Sequence, residues 1–318
     1  MSRALVLPFL TLALLLGNLS PSFAQTKDWP FPSRSAAASS LLARPTSTPT
    51  STPPPYDFPL GQETWEQLSN REISREGQAA LALRPQQWYH GETENFVFHY
   101  RNLSDALQVA RAIEFDLWYV AQSLGAPKSA YTRESHIFVF ADEQEWQKFL
   151  AETNEPKWTH SFAFHDELFL NVHGSGFDSQ TLAHETTHAV VSRIYGSKRW
   201  PLWLNEGFAE YMGEASVAAR HSQVPSQNQH NLAHAKMTVA KLFAPARYPV
   251  GDEAVAQLYD TSSKFVRYLY KKYPKELFPK FVDHLLNGEE IGTALQETYG
   301  NEFRDMNEFE KNFSRFTR

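Results

Sequence analysis

The sequence predicts an α+β fold, a small mixed sheet followed by a mainly helical half. Three observations predict it. Residues 61–318 form one stretch long enough for a single sizeable core. Its first part alternates short β-rich apolar runs with amphipathic segments. Its second part carries apolar residues almost entirely at helical spacing.

Taken in order, residues 1–24 read as a secretory signal. Arg3 gives a positive start, residues 4–16 are apolar but short for a membrane span, and Ser22-Phe23-Ala24 offers small residues for cleavage after Ala24. Pro8, Gly17 and Asn18 argue against an uncleaved anchor, so no stable membrane insertion is expected after cleavage. Residues 25–60 form a spacer. Thr, Ser and Pro alternate over 45–55, a composition that buries too little apolar surface to offset ordering entropy. A pro-segment is the weaker reading of it. The chain has no cysteine, so an exported product has no disulfides and no lipid-anchored form. Secreted or periplasmic placement follows as an expectation.

Within 61–318, residues 62–83 read as a helix weakened by Gly77. Phe96-Val97-Phe98-His99-Tyr100 reads as a strand. Residues 105–124 carry Ala106, Val109, Ala110, Ile113 and Leu117 at helical spacing and stop at Gly125 and Pro127. A strand over 136–140, a short helix over 143–151, and strands over 161–164 and 168–172 around a His165-Asp166-Glu167 turn come next. The last of these strands is open between two roles of equal standing, a sheet edge able to accept an extended peptide and an ordinary core strand. Two helices, a polar stretch over 215–235, a long helix over 253–273 and two or three amphipathic tail helices complete the plan.

The chemistry concentrates in 181–211. His184, Glu185 and His188 form an H-E-x-x-H, and Glu206 follows His188 by eighteen positions. Residues four apart on a helix share a face, so His184 and His188 can direct two imidazoles at one ion. Glu185 lies about 100° round from His184 and can reach a water on that ion without being a ligand. His184, His188 and Glu206 make a His2Glu set for Zn2+ with a fourth position open. Absent cysteine excludes sulfur-ligated zinc. H-E-x-x-H alone occurs by chance on solvated helices. Here Leu182, Ala189, Val190 and Ile194 make the helix apolar, Asp178 or Ser179 can cap it, and Gly196 can end it. The second helix starts near Pro201, with Trp203, Leu204, Phe208 and Tyr211 for packing.

At these residues the chain resembles the gluzincin metallopeptidases. The run Trp203-Leu204-Asn205-Glu206-Gly207-Phe208-Ala209-Glu210-Tyr211 is similar to the ligand-bearing segment of alanyl-aminopeptidase-type enzymes, and the general arrangement resembles thermolysin, in small bacterial members with a signal peptide. The resemblance spans roughly residue 95 to the C-terminus; its specific motifs lie in 181–211. It implies a zincin-like lobe and zinc-dependent hydrolysis of peptide or protein substrates with Glu185 as general base. It also implies Asn205 and Glu210 as partners of the ligands, with Glu where the relatives have Asp. A tyrosine on a later helix donates to the oxyanion in those relatives, and Tyr259, 53 residues after Glu206 and one of 13 tyrosines, is its best match. Endopeptidase action is expected, since no G-x-M-E-N stretch precedes His184; Glu167 is the one possible substitute. The rivals are a non-catalytic zinc-containing binding module and a zinc hydrolase of cell-envelope amides. His221, His230 and His234 fit no ligand spacing. With 30 basic and 36 acidic residues and a net charge of −6, nothing supports a nucleic-acid partner, and oligomeric state is not legible.

Overall fold

The computed structural model describes residues 53–54, 60–172, 176–196, 198–222, 237–244 and 247–317. The expected signal, nearly all of the spacer, His230 and His234 lie outside the described residues. The architecture is α+β: a five-stranded mixed sheet, then a mainly helical half. No helix among the described residues is long and apolar enough to cross a membrane.

The sheet contains β1 (Tyr89–Glu92), β2 (Phe96–Tyr100), β3 (Ser135–Phe140), β4 (Ser161–Phe164) and β5 (Glu167–Asn171), in the order β1-β2-β3-β5-β4. β2, β3 and β5 are parallel neighbours; β1 and β4 pair antiparallel at the two edges. The central strands are buried along their whole length, as strands covered on both faces must be. Phe96, Phe98, Ile137, Val139, Leu168 and Leu170 join the large core beneath α2 (Leu103–Ser123) and the later helices. Phe138, Phe140 and Phe169 alternate to the opposite face. There they meet Trp146 and Phe149 of α3 (Glu143–Thr153) and Ala80 of α1 (Arg75–Ala82). The period of two along each strand thus feeds two cores.

Three expectations are decided here. The strand over 168–172 takes the interior one of its two open roles, and the edge beside the helical half is β4, which is joined to it by the turn at His165 (φ 58) and covers its free side. The helix expected over 62–83 is a one-turn 3-10 segment, Trp65–Gln67, and then α1. Side chains take over the backbone donors between them: Ser69 N–H donates to Glu92 and Ser74 N–H to Glu167. Gly77 is a contact rather than a weakness, since a Cβ there would stand 2.9 Å from Phe138 Cζ. Third, Glu167 is no free acid. It is buried, and its carboxylate receives the Ser74 N–H at 2.6 Å and the Ser74 hydroxyl at 2.5 Å.

An unforeseen ladder of imidazoles crosses β1, β2 and β3. His90 Nδ1 lies 2.8 Å from His99 Nδ1, and His99 Nε2 lies 2.9 Å from His136 Nδ1. Burial holds all three below the usual imidazole range, so the rings share one directional chain of N–H donors.

The helical half is arranged around α5 (Leu202–Arg220), which packs against α4 (Ser179–Tyr195) on one side and α7 (Asp252–Lys272) on the other. Two glycines permit this. A Cβ on Gly213 would lie 3.1 Å from Gln180 O and 3.3 Å from His184 N of α4; one on Gly207 would lie 2.5 Å from Ser262 O of α7. Ion pairs brace the far end of α5: Asp116 of α2 with Arg220 at 3.2 Å, and Glu214 with Arg267 of α7. α6 (Val239–Phe243), α8 (Phe278–Leu286), α9 (Ile291–Tyr299) and α10 (Met306–Phe316) close the core through Leu242, Phe281, Leu295, Phe309 and Phe313.

Two outcomes follow. Burial pushes the Glu167 carboxyl up from 4.5 to about 7, against the opposing Ser74 hydrogen bonds. The folded chain then holds that proton more tightly than the unfolded one, so this stability is full below pH 4.5 and is lost as pH rises through about 7. At about 1.4 kcal/mol per unit the term is of order 3 kcal/mol. Glu167→Gln should therefore gain melting temperature relative to wild type, by several degrees, between pH 5 and 8; a difference that stays constant with pH contradicts it. Gly207→Ala should lower stability by about 1–3 kcal/mol, because the new methyl meets α7 backbone and the cost exceeds the helix-propensity gain of about 1 kcal/mol. Thermal unfolding of the variant checks this, and an unchanged melting temperature would refute the close contact.

Candidate metal centre

Asp178 caps α4 by accepting the Thr181 N–H at 2.7 Å, and Gly196, at φ 61, stops it. Between them one face of α4 carries His184 and His188, with ring centroids 4.7 Å apart. Leu182, Ala189 and Val190 are buried, which fixes that face toward α5. Thr186 and Thr187 are buried too and return their hydroxyls to Leu182 O and Ala183 O, leaving no unmet donor.

From α5, Glu206 enters this face. His184 Nε2 and His188 Nε2 are 3.0 Å apart, and Glu206 Oε2 lies 3.6 Å from the first and 3.5 Å from the second. A point about 2 Å from all three atoms fits that triangle, matching Zn–N and Zn–O distances. The electrostatics suit a cation. Burial favours a neutral His184, yet Glu206 and Glu210 outweigh it and hold its proton well above the imidazole range. Burial alone would raise the Glu206 carboxyl, but His188 and His184 hold it well below the carboxylate range. The donor set therefore fits a divalent metal by distance and by charge.

Around the triangle, Glu210 places Oε1 3.4 Å from His184 Nδ1, the nitrogen turned away from the centre. Asn205 is half-buried on the same helix, and its side chain makes no hydrogen bond among the described residues. Glu185 faces the sheet, and its Oε2 accepts the Ala163 N–H of edge strand β4 at 2.9 Å. Burial raises the Glu185 carboxyl, and the attraction of His184 and His188 only partly offsets this.

Tyr259 stands on α7 with its ring 6.2 Å from that of His184 and nearly parallel to it. Burial and the Glu206 charge keep its hydroxyl protonated. Tyr248, in the loop before α7, is the residue that the sequence reading missed. Its hydroxyl donates to Glu206 Oε1 at 2.7 Å, and its ring lies 6.4 Å from Tyr259. Burial of the hydroxyl end, with Glu206 beside it, holds this proton on as well. No spacing rule ties a tyrosine in a Tyr-Pro loop to a carboxylate 42 residues earlier, so nothing in the sequence marks it. His221, at the end of α5, is exposed.

Among the described residues a second group, His284, Glu289 and Glu297, also brings three possible donor atoms together, but on the more open surface of α8 and α9.

No curated protein matches the chain. The family profile of the Peptidase MA superfamily matches residues 122–315, which include β3 to β5, both site helices and nearly all of the helical half. That match takes in more than half of the 318 residues, and the chain belongs to the Peptidase MA superfamily, a clan of zincin-like metallopeptidases.

Proposed function

We propose that the chain is an exported zinc peptidase of gluzincin type, with a signal over 1–24, a spacer over 25–60 and a peptidase domain over 61–318. One observation carries the catalytic part: two imidazoles and a carboxylate converge, and a second, half-buried carboxylate, Glu185, stands beside them, anchored to the sheet edge. In this reading His184, His188 and Glu206 hold Zn2+, whose donor preferences match imidazole and carboxylate. Bound there, the ion would supply Lewis acidity toward a scissile carbonyl and toward water.

The remaining steps belong to the chain. Ala163 N–H binds one oxygen of Glu185 and fixes the carboxylate plane. The other oxygen takes a proton from the attacking water and returns it to the leaving amine. Burial supports this role, since it makes the Glu185 carboxylate a stronger base than an exposed one. Glu210 accepts from His184 Nδ1 and so sets which nitrogen faces the ion. Tyr259, protonated and beside His184, is the proposed donor to the oxyanion.

Endopeptidase action is part of the proposal. An aminopeptidase needs an acid to hold the substrate's free amine; β4 offers Ser161, Phe162, Ala163 and Phe164, and Glu167 is turned into the fold against Ser74. Blocked peptides should therefore be cleaved faster than free-amine dipeptides in a direct comparison; the reverse order would remove the endopeptidase assignment. Glu185→Gln tests the mechanism. The variant should keep its metal and fold and lose at least 10²–10⁴-fold in hydrolysis of casein or a peptide library. A variant as fast as wild type places the base elsewhere, and a wild type that cleaves no peptide favours a binding module.

A further inference from the structure

The geometry points to Tyr248 as a positioning residue that holds Glu206 in its ligating orientation and, with the same side chain, forms an apolar lip against which a substrate side chain next to the scissile bond lies. This rests on the metal-peptidase reading above.

The two oxygens of Glu206 are divided. Oε2 faces His184 and His188 at 3.6 and 3.5 Å, while Oε1 receives the Tyr248 hydroxyl at 2.7 Å. A carboxylate with one oxygen so held presents only the other to an ion, and partners of this kind fix ligand geometry at metal sites. Among the described residues, the hydroxyl is the part of Tyr248 that is so engaged. The residue as a whole is 51% exposed, and Val250, two positions on, is 73% exposed. A tyrosine whose para-hydroxyl touches Glu206 must carry its ring beside the site, since the ring is rigid and short. Its exposed part therefore borders the space next to the metal ligands. The ring does not swing freely there: Tyr259 lies parallel to it at 6.4 Å. A bare aromatic surface at that place takes up an apolar or aromatic side chain of the substrate and gives nothing to a charged one.

Two variants of the full chain separate the two roles. Tyr248→Phe removes the hydroxyl and keeps the ring; Tyr248→Ala removes both. Metal binding is read with Co2+ and Zn2+ in competition with a chelator, together with the visible spectrum of the Co2+ form, which reports ligand geometry and not stability. Cleavage is read on a peptide library that varies the residues flanking the scissile bond. Tyr248→Phe should bind Co2+ and Zn2+ about 10–100-fold more weakly, with an altered Co2+ spectrum and an unchanged melting temperature, while the preference for apolar flanking residues is kept. Tyr248→Ala should lose that preference as well. A Tyr248→Phe chain with wild-type affinity and spectrum overturns the positioning of Glu206. A Tyr248→Ala chain with the wild-type flanking preference overturns the lip. A wild-type chain that takes up neither metal overturns the metal-peptidase reading, and this inference with it.

Discussion

Close contact of α5 with two other backbones is the constraint on which the structure depends. Gly213 lets α4 approach within reach of its own backbone at Gln180 and His184, and Gly207 does the same for α7 at Ser262. These two positions bracket the site. Glu206 precedes one glycine, Glu210 lies between them, His184 sits against the other, and Tyr259 is one turn before Ser262. Larger side chains would push the helices apart by more than the tolerance of a three-atom ligand triangle. The site residues are thus placed by what is missing from α5 as much as by what is present.

The same closeness explains the electrostatics. Glu185, Glu206 and His184 sit where burial opposes charge, and each is kept in balance by its neighbours. A buried carboxylate without partners would take up a proton. Glu206 avoids that through two imidazoles and a phenol, whereas at Glu185 a strand amide and the same imidazoles offset only part of the upward push. At the other end of α5 the pairs Asp116–Arg220 and Glu214–Arg267 solve the same problem with guanidinium groups, which suit buried carboxylates. Desolvation still dominates at Asp116, whose pKa stands at about 6.

Legibility in the sequence followed periodicity. His184, His188 and the apolar stripe of α4 repeat every three to four residues, so one helix could be drawn from the letters and the imidazoles placed on one face. α2, α7 and the tail helices were readable for the same reason, and α2, α3, β2 and β3 fall within a few residues of their expected bounds. β1 was missed because Tyr89-His90-Gly91-Glu92 has no apolar alternation; its place comes from pairing with β2 and from Glu63 bridging to His90. Which of β4 and β5 forms the edge depends on the parallel pairing of β3 with β5, a long-range choice with no local mark. Gly77 read as a flaw because its neighbour Phe138 lies 61 residues away. Tyr248 escaped because loop geometry, unlike a helix, carries no period.

Edge strand β4 has four residues, and the N–H of Ala163 already points at Glu185. A peptide laid along this edge therefore meets a short ladder with one rung filled. Few main-chain hydrogen bonds remain to grip it, so discrimination among substrates has to come from side chains. Glu185 is also tied to the sheet: a shift of β4 by one residue would flip its pleat and withdraw the amide that steadies this carboxylate. The hairpin at His165 is in this sense part of the site, since it sets the register that keeps strand and Glu185 aligned.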